Sequence, residues 1–221
     1  NWIKEYSNCN IPEIINLDLG SSPFHYKKGK EICCTNQIEF IEANRTEFQD
    51  NIKQIFTHLK KSNCYYLLYL HQDCFPIEKE TFKKIDNYIV NNDLSKYGCI
   101  GFNNYHDLEI KHLNKASLEL MSTSRCVLQK GNGYYMKYPR GSRANYSMFN
   151  KGSVFCVENV FWSSLLLSSS SFERYINVDL RFNFFLSPDD MAYQFLSKGI
   201  YNIVIPDIHF IHDQSVKTKY G

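Results

Sequence analysis

The sequence predicts an α/β protein: a mostly parallel central sheet with helices packed against it. Three observations carry this. Tyr65 to Leu70 run aromatic or aliphatic without a break, as a strand buried on both faces does. Residues 46–61 recur at helical spacing, with Phe48, Ile52, Ile55, Phe56 and Leu59 on one face. Strand-like and helix-like segments then alternate through the first half of the chain, the order that builds parallel sheets.

In chain order, "EIINLDLGSS" (13–22) reads as a short strand breaking into a Gly-Ser turn, and "QIEFIEAN" (37–44) as a second strand. Thr46 with Gln49 three positions later makes a capping box for the helix over 46–61. The buried strand 65–70 runs straight into His71, Gln72 and Asp73. Phe82, Ile85 and Ile89 mark another helix, and "GCIGFNN" (98–104) another strand. Residues 105–147 hold no period. Within them, 129–147 is basic, glycine-containing and rich in tyrosine, and reads either as a solvated loop or as a mobile flap offering Lys130, Lys137, Arg140 or Arg143 to a phosphate-bearing ligand. An apolar stretch covers 153–167. "FLSPDDMAYQFLSKG" is a punctuated helix with Ser187 as N-cap, Pro188 as its first helical residue and Gly199 as its stop. The last strand, in "YNIVIPDIHFIHDQS", ends on a histidine and an aspartate.

A chain of 221 residues with 43% hydrophobic residues buries a full core, and no repeat or linker divides it, so 1–221 reads as one domain. Its net charge of +2, with both signs interspersed, does not suggest a nucleic-acid partner. The eight cysteines form no CxxC pair and lie largely in apolar runs, which suits small reduced core residues of a cytoplasmic protein better than zinc ligands or disulfides. No stretch approaches the roughly 18 apolar residues of a membrane span, leaving at most a peripheral membrane association. "NRT" at Asn44 and "NYS" at Asn145 match glycosylation sequons, a pattern frequent by chance.

In an α/β sheet, ligands bind beyond the carboxyl ends of the strands, where Asp18 and Asp73 fall. "IINLDLGSS", "YLLYLHQD", "SPDDMAYQFLSKG" and "IVIPDIHFIH", in this order over nearly the whole chain, resemble the family 2-like glycosyltransferases of the GT-A fold, a Rossmann-like architecture. The resemblance implies an inverting transferase moving a sugar from a nucleoside diphosphate-sugar donor to a glycan, lipid-linked or other acceptor hydroxyl. It implies that Asp18 contacts the nucleotide base, with Gly20, Ser21, Asn44, Gln72 and Asp73 completing the donor site. It implies a divalent metal, Mn2+ or Mg2+, on Asp73, His71 and His212, and a general base at Asp190 or Asp189. Two departures stand out: the metal motif opens with His71 rather than aspartate, and the strand expected ahead of Asp18 has no counterpart, "NWIKEYSNCNIP" reading as the tail of the helix that follows it. Other classes compatible with the same sheet are a nucleotidyltransferase and a non-catalytic sugar-nucleotide- or glycan-binding domain. His25, His58, His106 and His112 sit in no such motif.

Overall fold

A computed structural model describes residues 14–18, 20–43, 48–59, 65–106, 119–120, 127–130, 134–137, 144–145, 154–157, 159–160, 162–182 and 186–212. Its elements are β1 (Ile15–Asp18), α1 (Pro23–Thr35), β2 (Glu39–Glu42), α2 (Phe48–Leu59), β3 (Tyr66–Leu70), β4 (Cys74–Pro76), α3 (Thr81–Asn91), β5 (Ile100–His106), β6 (Glu119–Leu120), β7 (Val127–Lys130), β8 (Tyr134–Lys137), β9 (Ala144–Asn145), β10 (Phe155–Val157), β11 (Ser164–Ser168), α4 (Ser169–Tyr175), α5 (Ser187–Ser197) and β12 (Asn202–His212).

The α/β class is observed, and the expected mostly parallel sheet is realised as a mixed one. The central sheet has the order β10-β12-β5-β11-β3, with β4 also paired to β12. β12 and β5 pair parallel, while β11 is antiparallel to both β5 and β3, so β3, β5 and β12 all run the same way. β10 and β4 are antiparallel to β12. β1 and β2 form a separate parallel pair joined through α1.

Side-chain alternation explains why the middle of this sheet is apolar throughout. Leu165 and Leu167 face a core built with Phe48, Ile52, Phe56, Met191 and Phe195, from α2 and α5. Leu166, between them, faces the opposite core, with Phe82 and Ile85 of α3 and with Ile203, Ile205 and Phe210. Helices therefore cover both faces, and each fully buried leucine contributes about 1.5–3 kcal/mol. β12 carries a break: its register on β5 jumps from Ile205↔Phe102 to His209↔Asn103. Pro206 lies inside that jump and has no N–H to give a ladder, which is where sheets tolerate proline.

Helix ends show what local sequence dictates and what it does not. Gly199 has φ +75°, and Gly199 N and Ile200 N donate to Leu196 O and Phe195 O at 3.0 Å each, a Schellman stop at the expected residue. Ser187 is not the N-cap. It is the first helical residue, Leu186 caps, and the buried Ser187 Oγ accepts from Gln49 N at 3.2 Å instead. Thr46, half of the expected capping box, lies outside the described residues; Gln49 directs its amide to α5. α1 has no counterpart among the expected elements. Its buried side is a single residue, Cys33, so it lacks the apolar stripe that marks a helix, although Pro23 in its first turn is a start signal. The flap expected over 129–147 falls partly outside the described residues; within them, β7 and β8 form an antiparallel hairpin.

Candidate functional site

Asp18 ends β1 and is buried. Its Oδ2 accepts from Gly20 N at 3.3 Å and Ser21 N at 3.2 Å, closing the turn with Gly20 at φ +84°. Among the described residues no ion pair or further side-chain hydrogen bond ties Asp18 to the two centres below. Asn44 lies outside the described residues.

The first centre is the turn after β3. His71 N donates to Ser163 O and Cys74 N to His71 O, both at 2.9 Å, so the β10–β11 loop grips the turn through main chain. His71 Nδ1 stands 3.8 Å from Asp73 Oδ1. The imidazole meets Trp162 edge-on, centroids 4.2 Å apart, and Trp162 in turn meets Phe48 at 5.6 Å. Gln72 is exposed in the turn. Below it, Asn104 Oδ1 accepts from Ser164 Oγ at 2.8 Å, Ser163 Oγ at 3.2 Å and Cys74 Sγ at 3.7 Å, all four residues being buried. Burial pushes the Cys74 thiol up to about 12; the Ser163 hydroxyl opposes this, the Asp73 charge adds to it and the Ser164 hydroxyl opposes it. Tyr69 is raised by burial and then by the same Asp73 charge. The Asp73 carboxylate thus sits close enough to the buried strand end to be felt by two of its side chains. β12 brings the backbone of His212 opposite Cys74 and beside His106, a residue that no motif singles out.

The second centre is the first turn of α5. Asp190 Oδ2 accepts from Gln49 Nε2 at 2.7 Å and Gln194 Nε2 at 2.6 Å. Asp189 Oδ1 accepts from Asn159 Nδ2. The loop before β11 joins the two centres: Asn159 holds Asp189, while Trp162 and Ser163 hold His71. Gln49, Asn159, Trp162 and Asn104 carry no sequence signal for this neighbourhood; Gln194 does, as a glutamine one turn after an aspartate.

Asp73 and His71 fit a two-point anchor for a divalent ion. Cis ligands of an octahedral ion at about 2.1 Å lie about 3 Å apart, less than an ångström from the separation observed. Among the described residues there is no group of three or more His, Cys, Asp or Glu at metal-binding spacing. The cysteines described, Cys33, Cys34, Cys74, Cys99 and Cys156, are free thiols, and no helix among the described residues is long and apolar enough to cross a membrane.

Among solved structures, the crystal structure of GalNAc-T7 with UDP, GalNAc and Mn2+ superposes with a TM-score of 0.57, at 11% identity, over 91% of this chain and 37% of that one. The chain has a GT-A-like fold. It spans little more than a third of that protein, and at this identity the likeness is one of fold. A197 from STIV matches over 90% of this chain and 83% of that one, at 13% identity and a TM-score of 0.42. No protein-family profile and no curated protein matches the sequence.

Proposed function

We propose that this chain is a glycosyltransferase domain that moves a sugar from a nucleoside diphosphate-sugar to an acceptor hydroxyl, with inversion at the anomeric carbon. The observation that carries the reading is the coupling of the two acidic centres on a GT-A-like sheet: one loop ties the Asp73 turn to the Asp189–Asp190 turn.

In this reading Asp18 receives the nucleotide base through Oδ1, its Oδ2 being occupied by the Gly20 and Ser21 amides. Asp73 and His71, with His212 from the adjoining strand, hold a divalent ion whose other positions are filled by diphosphate oxygens and water. When bound, that ion supplies countercharge for the departing diphosphate. Asp190 takes the proton of the acceptor hydroxyl as its oxygen attacks the anomeric carbon. Asp189, held by Asn159, serves the N-terminus of α5. The basic residues Lys130, Lys137, Arg140 and Arg143 are a further source of countercharge for the diphosphate.

The test is slow hydrolysis, with Mn2+ and with water taking the place of the acceptor hydroxyl that Asp190 deprotonates, of a panel of sugar nucleotides that includes UDP-GalNAc. Asp190→Asn should lose about 10²- to 10⁴-fold in turnover at nearly constant donor affinity. A protein that binds no sugar nucleotide with Mn2+, or an Asp190→Asn variant within a few-fold of wild type, would sink the assignment.

A further inference from the structure

Two carboxamides converge on a single oxygen of Asp190. Gln49 reaches it from α2, and Gln194 reaches it from one turn further along α5. Each amide is fixed end for end by a second bond. Gln49 Nε2 also donates to Ser187 O at 2.9 Å. Gln194 Nε2 also donates to Asn177 O at 3.0 Å, while its Oε1 accepts from Asn177 N at 2.8 Å. Turning either amide over would set a carbonyl against a carboxylate and a main-chain carbonyl, so both must present N–H groups to Asp190.

Gln49 bears a cost for this. It is 1% exposed, and its Oε1 is buried with no hydrogen-bond partner among the described residues. Buried acceptors are nearly always paired, and an orphan at a carboxylate is a feature a purely structural contact does not require. The outcome is a carboxylate with two unlike oxygens. Oδ2 is saturated by two N–H donors, and no hydrogen bond among the described residues reaches Oδ1. Rotation of the carboxyl group would break both bonds, so Oδ1 is held in one direction.

We propose that Gln49 and Gln194 are positioning residues that pin Oδ2 of Asp190 and thereby aim Oδ1 as the proton-accepting oxygen. This rests on the reading of Asp190 as general base. Proton transfer requires the accepting oxygen within hydrogen-bond reach of the proton, and small misplacements of a reacting group cost about 100-fold.

The test uses near-isosteric Gln49→Met and Gln194→Met, alone and in the Asp190→Asn background, with Mn2+-dependent hydrolysis of UDP-GalNAc as the reaction. Each single variant should lower kcat about 10- to 100-fold and leave KM and UDP affinity within twofold. In the Asp190→Asn background the same substitutions should cost less than twofold, because no base remains to be aimed. Equal losses in both backgrounds, or wild-type kcat in Gln194→Met, overturn the positioning role. Gln194 is only half-buried, so its variant carries the test if Gln49→Met does not fold. Wild-type protein that does not turn over, or an active Asp190→Asn, removes the base and this inference together; inactive Asp190→Asn beside active glutamine variants removes the inference alone.

Discussion

Replacing Asn104 by alanine should destabilise the protein by about 2–4 kcal/mol, and the number follows from what the side chain holds. Asn104 is 2% exposed, and its Oδ1 receives the hydroxyls of Ser163 and Ser164, both 0% exposed. Alanine leaves those two donors stranded. A buried polar group without a partner costs about 1–3 kcal/mol, and water entering the vacated space brings the sum toward the low end. The Cys74 thiol, a weak donor at 3.7 Å, adds little. For a chain of this size each kcal/mol lowers Tm by about 2–4 °C, so a fall of about 5–15 °C is expected. Urea unfolding with an unchanged m-value would show that the loss is in the native state. The decisive measurement is compensation. Adding Ser163→Ala and Ser164→Ala to Asn104→Ala removes the orphaned donors, and should recover about half of the loss. A single variant within about 0.5 kcal/mol of wild type, or a triple variant less stable than the single one, would refute the reasoning.

Gly98→Ala should cost about 1–3 kcal/mol, because a Cβ there would stand 2.5 Å from Phe195 Cγ and 2.6 Å from Asn202 Oδ1, both side chains being buried; a melting curve matching wild type counts against it. Asp73→Ala should abolish Mn2+-dependent binding of UDP in calorimetry with a stability change of no more than about 1 kcal/mol, and unchanged affinity would remove Asp73 from the site. Burial holds His209 below its ordinary value, with the Glu78 charge opposing and Lys84 reinforcing the shift. The unfolded chain then binds the proton first, so stability falls as pH drops through about 6.5, and His209→Gln should flatten that acid slope; parallel curves for variant and wild type would contradict it.

What the sequence revealed and what it hid divide along the range of the interactions. Phe48, Ile52, Ile55, Phe56 and Leu59 repeat at helical spacing, and all five are buried as α2 requires. Gly199 stops α5 by a local backbone preference and did so in the expected place. Ser187 beside Pro188 satisfies the same kind of local rule, yet its hydroxyl is taken by a residue 138 positions away. No local rule anticipates that. The direction of β11 was equally hidden: a run of buried leucines looks alike read from either end. The acid pair at Asp189–Asp190 and the turn at His71–Asp73 were legible as polar residues at element ends. Their partners Gln49, Asn159 and Trp162 were not, since each arrives from a distant part of the chain.

Elementary geometry accounts for why those partners meet. β3, β5 and β12 run in one direction, so His71 and Asp73 follow the same sheet end at which β5 and β12 reach His106 and His212. β11 runs the other way and therefore begins at that end, which brings Ser163 to His71. α2 precedes β3 and α5 precedes β12 in the chain, and the α5–β12 connection through Gly199 lies at the far end of the sheet. A 12-residue α2 is about 18 Å long, close to the roughly 17 Å of the five-residue β3, so α2 begins where β3 finishes. α5, about 16 Å long, matches only the first half of the 11-residue β12, up to Ile205, which lies level with Leu70 at the end of β3. Both helix N-termini consequently open on the strand ends, carrying Phe48 and Gln49 on one and Asp189 and Asp190 on the other. The Gln49–Asp190 bond at 2.7 Å is the point at which these two helix starts touch. The positive ends of both helix dipoles are offset by acids of their own first turns, Asp50 in α2 and Asp189 and Asp190 in α5. The same topology that covers both faces of the sheet thus gathers the acidic centres, their amide clamps and the two dipoles at one place.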